Sequence, residues 1–128
     1  MKDCLFCKIT NHEIPSHKIW DDSNHHAFLD INPINPGHTL VVPKNHTDYI
    51  FDIEDTELSS LFIASKKVAA KLKEKLSCER VGVIVEGFAV PHAHVHLIPI
   101  NEGNELNPHN AKPASQEKLE AMCTKINA

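Results

Sequence analysis

His92-Ala93-His94-Val95-His96-Leu97-Ile98 alternates imidazole with aliphatic side chains. A β-strand sends successive side chains to opposite faces. The spacing therefore predicts one strand with three histidines on one face and Ala93, Val95 and Leu97 packed into a core on the other. Histidine is the side chain whose protonation changes most readily near neutral pH, so three on one face predict a chemical site. A three-histidine metal site fits less well. At about 3.3 Å per residue, His92 and His96 lie ~13 Å apart along a flat strand, whereas zinc needs each nitrogen about 2.0–2.1 Å away. Two neighbouring members remain able to contribute to a metal site.

Around this stretch the chain predicts an α+β fold. Thr39-Leu40-Val41-Val42 is a β-branched apolar run stopped by Pro43, the pattern of a buried strand. Further strands are predicted over 17–21 and 25–31, parted by the turn-forming Asp22-Ser23-Asn24, and over 81–85 and 92–100, joined around Gly87. Leu58, Leu61, Phe62, Ser65, Val68, Ala69, Leu72 and Leu76 recur at helical spacing and predict one long helix over 55–76. Its acidic start and lysine-rich end suit the helix dipole. A short helix or turn is predicted over 4–10, and a last helix after Ser115, a good N-cap. The whole predicts an antiparallel five-stranded meander sheet with one long central helix and a short C-terminal helix. Residues 1–100 carry the sheet, and 101–128, a polar loop and helix, are expected to pack on the same domain.

With 17 acidic and 13 basic residues, a net charge of −4 and no basic cluster, the chain predicts neither nucleic-acid nor membrane-surface binding. Met1-Lys2-Asp3-Cys4 lacks a signal-like apolar stretch, which makes a cytoplasmic location the expectation. Four cysteines without signs of secretion do not predict a disulfide framework, and Cys78 and Cys123 read as small hydrophobes. Cys4-Leu5-Phe6-Cys7 has three readings. A redox pair would want a preceding strand and a helix N-terminus. Half of a tetrahedral zinc site would need two further N or S ligands. The third reading is a pair of unligated thiols.

The triad, taken with Asp30-Ile31-Asn32-Pro33-Ile34-Asn35-Pro36-Gly37-His38-Thr39-Leu40-Val41-Val42-Pro43-Lys44-Asn45-His46, resembles the histidine triad (HIT) superfamily of nucleotidyl hydrolases and transferases. The likeness runs from about Cys4 to Pro99 and implies a HIT-like fold. It makes His94 the nucleophile on an α-phosphorus, a role open to neutral imidazole with its reference pKa of about 6.5. By the same resemblance His96 hydrogen-bonds the phosphate or leaving group, and His38 is a fourth histidine set against the nucleophile. Asp30 would accept from ribose hydroxyls, its two oxygens suiting a cis-diol. Phe6, Ile9, Phe28 and Ile31, with Leu5, would wall the purine, and the backbone of Gly87 and Ala89 would face the phosphate. Cys4, Cys7, His46 and His92 match a structural zinc site of many bacterial relatives, and two sheets pair into a homodimer. The chain departs from the usual pattern at Phe88 and Ala89, which stand where an amide and a hydroxyl are usual, at Pro91, which has no N–H, and in lacking a Trp-Pro-Pro tail. The implied function is hydrolysis of purine nucleotide conjugates such as phosphoramidates. The alternatives are dinucleoside polyphosphate hydrolysis and a non-catalytic nucleotide-binding adaptor.

Overall fold

Alternation and helical spacing place the elements close to where the sequence predicts them. The computed structural model describes residues 3–128. It contains helix α1 (Leu5–Thr10), strands β1 (Lys18–Asp21), β2 (His25–Leu29) and β3 (Thr39–Pro43), helix α2 (Asp55–Leu76), strands β4 (Arg80–Ile84) and β5 (Val95–Ile100), and helix α3 (Gln116–Asn127). All neighbouring strands are antiparallel, in the order β1-β2-β3-β5-β4. The first three strands follow one another directly. Helix α2 then carries the chain to the far edge, and β5 returns between β3 and β4.

The sheet separates two apolar clusters. Ala27, Leu29, Val41, Val95 and Leu97 pack against Leu61, Ala64, Val68 and Leu72 of α2, with Leu119 and Ile126 of α3 closing the same core. On the other face Phe28, Leu40 and Val42 meet Cys4, Phe6, Cys7 and Ile9 of the N-terminal segment. Both β2 and β3 are buried along their whole length, which accounts for the unbroken apolar run at 39–42. The helix predicted over 55–76 has those bounds. Ser115 caps α3 through its hydroxyl, which accepts from the Lys118 amide at 3.2 Å.

The single strand predicted over 92–100 is shorter: β5 begins at Val95, and His92 and His94 precede it. In the β3–β5 register Val41 faces Val95, so two residues further on Pro43 would stand against Ala93. Pro43 has no N–H to give. The Ala93 amide donates instead to the Thr47 carbonyl at 2.7 Å, and the chain bends. Likewise β2 stops at Leu29 rather than continuing to residue 31. The Asp30 amide donates to the His38 carbonyl at 2.9 Å, and Oδ1 of Asp30 accepts from the Asn32 amide at 2.8 Å, closing a tight turn. Gly37 (φ +92°) completes that turn; a Cβ there would lie 2.5 Å from Cδ1 of Leu76. The left-handed backbone favours glycine there, and any Cβ would also force the Leu76 side chain to shift.

Candidate active site

The bend ahead of β5 gives each triad histidine a separate environment. His92 is fully buried, and its Nε2–H donates to the Pro43 carbonyl at 2.8 Å. Its other nitrogen, Nδ1, is thereby left with a free lone pair. That nitrogen lies 3.3 Å from Sγ of Cys4, 3.4 Å from Sγ of Cys7 and 3.3 Å from Nδ1 of His46; Sγ of Cys7 is 3.4 Å from His46 Nδ1. Four ligands on a tetrahedron with zinc bond lengths sit about 3.3–3.8 Å apart. The four donor atoms therefore converge with the spacing and chemistry of a zinc centre, and the carbonyl behind His92 fixes the tautomer such a ligand needs. Burial, then the hydrogen bond with Cys4, pushes the Cys7 thiol up from its ordinary pKa. A redox thiol requires the opposite.

His94 is 3% exposed and its Nδ1–H donates to the carbonyl of His92 at 2.7 Å. The short backbone bend thus fixes the tautomer, with the lone pair on Nε2. Phe6 packs edge-on against both His92 and His94, ring centroids 6.0 and 5.0 Å away, and edge-on against Phe28 at 5.4 Å. This is the aromatic support that holds the nucleophile candidate in place.

His96, on β5, belongs to a second relay. The Ile34 amide donates to Nδ1 of His38 at 3.0 Å, so the His38 proton sits on Nε2, which donates to Nδ1 of His96 at 2.9 Å. His96 is left with its N–H on Nε2. The His94 and His96 rings lie 4.9 Å apart, centroid to centroid. One ring therefore offers a lone pair and its neighbour a donor. Oδ2 of Asp30 lies 3.5 Å from His38 Nε2, which ties the predicted ribose acceptor to the relay. Asp30 and His38 also line a cleft of about 760 Å³ between the 33–38 turn and α3.

The predicted apolar wall divides. Phe6, Ile9 and Phe28 are buried together, whereas Ile31 is 58% exposed and lies outside their cluster, and Leu5 is 44% exposed. Gly87 adopts φ +88° in the loop before the triad, and Phe88 stands 90% exposed beside it. The orienting roles of Pro43 and Ile34 were not legible in the sequence, because they act through backbone atoms that carry no residue-type signal.

Burial lowers the His38 pKa, and burial followed by the neighbouring His94 and His38 lowers that of His96 to about 4. Both are therefore neutral at pH 7, as the relay requires. The unfolded chain protonates these rings near pH 6.5 while the folded one does not, so stability falls as pH drops from about 6.5 towards 4. For His96 alone the loss between pH 7 and pH 5 is about 2 kcal/mol. Urea unfolding at the two pH values should show it, and equal midpoints would contradict the buried neutral relay.

A family model described as the HIT domain matches residues 11–103. The chain is 43% identical over 106 residues to a HIT-like protein of Methanocaldococcus jannaschii, covering 79% of this chain and 81% of that one. It is 37% identical over 97 residues to an adenosine 5'-monophosphoramidase of Saccharomyces cerevisiae, covering 75% and 61%. Among solved structures it superposes with a TM-score of 0.87, at 33% identity over 98% of this chain and 95% of the other, on a Hit-like protein from Bartonella henselae. A Zn-bound histidine triad family protein from Mycobacterium smegmatis matches with a TM-score of 0.79 at 26% identity over 98% and 96%. With a family model matched over residues 11–103 and relatives this similar along most of its length, the chain belongs to the HIT domain family.

Proposed function

We propose that this protein hydrolyses purine nucleotide conjugates at the α-phosphate, nucleoside 5'-phosphoramidates foremost, through a covalent nucleotidyl-His94 intermediate. The observation that carries the reading is the opposed pair of tautomers: His94 Nε2 keeps its lone pair because Nδ1–H is held by the His92 carbonyl, and His96 keeps its Nε2–H because Nδ1 accepts from His38. In the first step Nε2 of His94 bonds to phosphorus as the bond to the leaving group breaks, and the departing amine takes the Nε2 proton of His96, which the water of the second step restores. Water then attacks the phosphorus, frees His94 and yields the nucleoside monophosphate. The N–H groups of Gly87 to Ala89 are assigned to the phosphate, Asp30 to the ribose, and Phe6, Ile9 and Phe28, with the exposed Ile31, to the base. The yeast relative is an adenosine 5'-monophosphoramidase, which supports this substrate class. Faster turnover of a dinucleoside polyphosphate than of a phosphoramidate would favour the rival hydrolase, and no turnover of either would favour a nucleotide-binding adaptor.

Replacing His96 by Ala should slow hydrolysis roughly 100-fold for a poor amine leaving group and tenfold or less for an acidic phenol, which needs less help to depart. Equal losses for both would remove His96 from the leaving-group role.

Cys4, Cys7, His46 and His92 are assigned to one zinc ion, whose contribution is to tie the N-terminal segment to the bend ahead of β5. We assign the protein to the cytoplasm, without nucleic-acid or membrane partners; among the described residues no helix is long and apolar enough to cross a membrane. Residues 1–100 and the 101–128 extension are taken as one unit, since α3 buries Leu119 and Ile126 in the same core. The active form is taken to be a homodimer. β4 is an edge strand with Val83 51% exposed, and an open ladder with apolar side chains is suited to pairing with a second copy. Sedimentation at micromolar concentration should give twice the 14.3 kDa chain mass; monomer alone would contradict it.

A further inference from the structure

A Ser-His-Asp relay lies on the opposite face of the sheet from the histidine triad. Register places His96 opposite Leu40, and Leu40 opposite Phe28. His25 instead alternates with His26 and shares the face of Ala27 and Leu29, the face covered by α2. There Nδ1 of His25 lies 3.0 and 3.2 Å from the two carboxylate oxygens of Asp22, and Nε2 lies 3.2 Å from Oγ of Ser60 on α2.

The proton positions follow from the partners. Asp22 is surrounded by donors: the Trp20 indole N–H at 3.0 Å and the amides of Asn24 and His25 at 2.8 and 2.7 Å. Burial works against its charge, but these hydrogen bonds outweigh it and hold the carboxyl well below its ordinary range. An ionised Asp22 only accepts, so His25 carries its proton on Nδ1 and presents a lone pair at Nε2 to the Ser60 hydroxyl. Ser65, on the same helix, donates its hydroxyl back to the Leu61 carbonyl at 2.9 Å, the usual helical habit. Ser60 is committed to an imidazole instead. His25 is 6% exposed, and a cavity of about 290 Å³ opens over the relay, lined by Asn24, Asn45, Thr56 and Glu57 together with His25 and Ser60.

Nucleophile, base and orienting carboxylate within hydrogen-bond reach, under a cavity, are the geometric requirements of an activated serine. We propose that Ser60, His25 and Asp22 form a second nucleophilic site that cleaves small uncharged or cationic carboxylic esters. Cavity size limits the acyl group to a few carbons, and the Glu57 carboxylate in its wall disfavours anions. Oγ of Ser60 bonds to the acyl carbon as its proton passes to Nε2 of His25; the alkoxide leaves with that proton as an alcohol. Water then attacks the acyl-serine, and the products are the carboxylic acid and free Ser60. The amides of Asn24 and Asn45 and the Thr56 hydroxyl are the side-chain donors at hand for the oxyanion.

A fluorophosphonate probe tests this directly, because it bonds to an activated serine Oγ with loss of fluoride. Peptide mapping of the labelled full-length protein should place the adduct on Ser60 in the wild type and equally in His94→Ala, which separates it from the triad. His25→Gln should cut the labelling rate at least tenfold. Ser60→Ala should abolish the adduct and lower p-nitrophenyl acetate hydrolysis in the His94→Ala background at least tenfold, while phosphoramidate turnover of the Ser60→Ala protein stays unchanged. Absence of an adduct on Ser60 in folded wild type, or labelling of Ser60 no faster than of exposed Ser59, would reduce the relay to a strut between β2 and α2. Should His25→Gln fail to fold, the wild-type labelling and the Ser60→Ala hydrolysis rate decide alone.

Discussion

Substituting His94 by glycine should lower turnover of an adenosine 5'-phosphoramidate by roughly three orders of magnitude or more, while the affinity for the nucleoside monophosphate changes only a few-fold. The asymmetry follows from what the ring supplies. In the proposed reaction its Nε2 forms the bond to phosphorus, an interaction that reaches full strength only as the leaving group departs. In the proposed function base and ribose are assigned elsewhere, to the Phe6, Ile9 and Phe28 wall and to Asp30. The ring is also 3% exposed and fixed by the His92 carbonyl and the edge of Phe6, so removing it opens a cavity beside the site without disturbing the sheet. Paired kinetics and calorimetric binding on the same preparation check the prediction. A loss of affinity as large as the loss of rate would mean that His94 binds rather than reacts.

Removing the metal should have the second largest effect. Purified protein is expected to hold about one zinc per chain, and chelation, or Cys7→Ser, should lower the melting temperature by on the order of 10 °C or more. Cys4 and Cys7 cap and anchor α1, which also carries Phe6. Without the ion, two buried sulfurs and two imidazoles are left facing one another at 3.3–3.4 Å. The kcat of the molecules that remain folded should be unchanged, because no step of the proposed reaction passes through the metal. Elemental analysis and thermal unfolding decide it: a zinc-free protein after refolding with zinc, melting at the same temperature with and without chelator, would leave the cysteines as ordinary core residues.

Much of this arrangement was legible in local sequence. Helix α2 was readable because Leu61, Val68 and Leu72 recur at helical spacing over many turns. The triad was readable as a site because three alternating imidazoles have little other use. Its geometry was not, since the bend depends on a proline in the neighbouring strand and on the Thr47 carbonyl, a tertiary partner that residue types do not announce. That bend lets His92 turn towards Cys4, Cys7 and His46 while His94 and His96 face each other. The insertion of β5 between β3 and β4 was likewise set by how α2 crosses the sheet. The resemblance sets Ile31 in the wall with Phe6, Ile9 and Phe28; that Asp30 turns the chain before it and leaves it exposed was not legible in the sequence. The Asp22-His25-Ser60 relay was hidden for a related reason: Ser60 is 35 residues from His25, and a serine inside an amphipathic helix looks ordinary.

The most direct test of the account is rapid quenching of the wild-type protein during turnover of an adenosine 5'-phosphoramidate, followed by peptide mass spectrometry. The expected result is the mass of one adenylyl group on the peptide spanning the triad, fragmenting to His94 and absent from His94→Gly. Full turnover with an unmodified His94, or with the adduct on another residue, would contradict it.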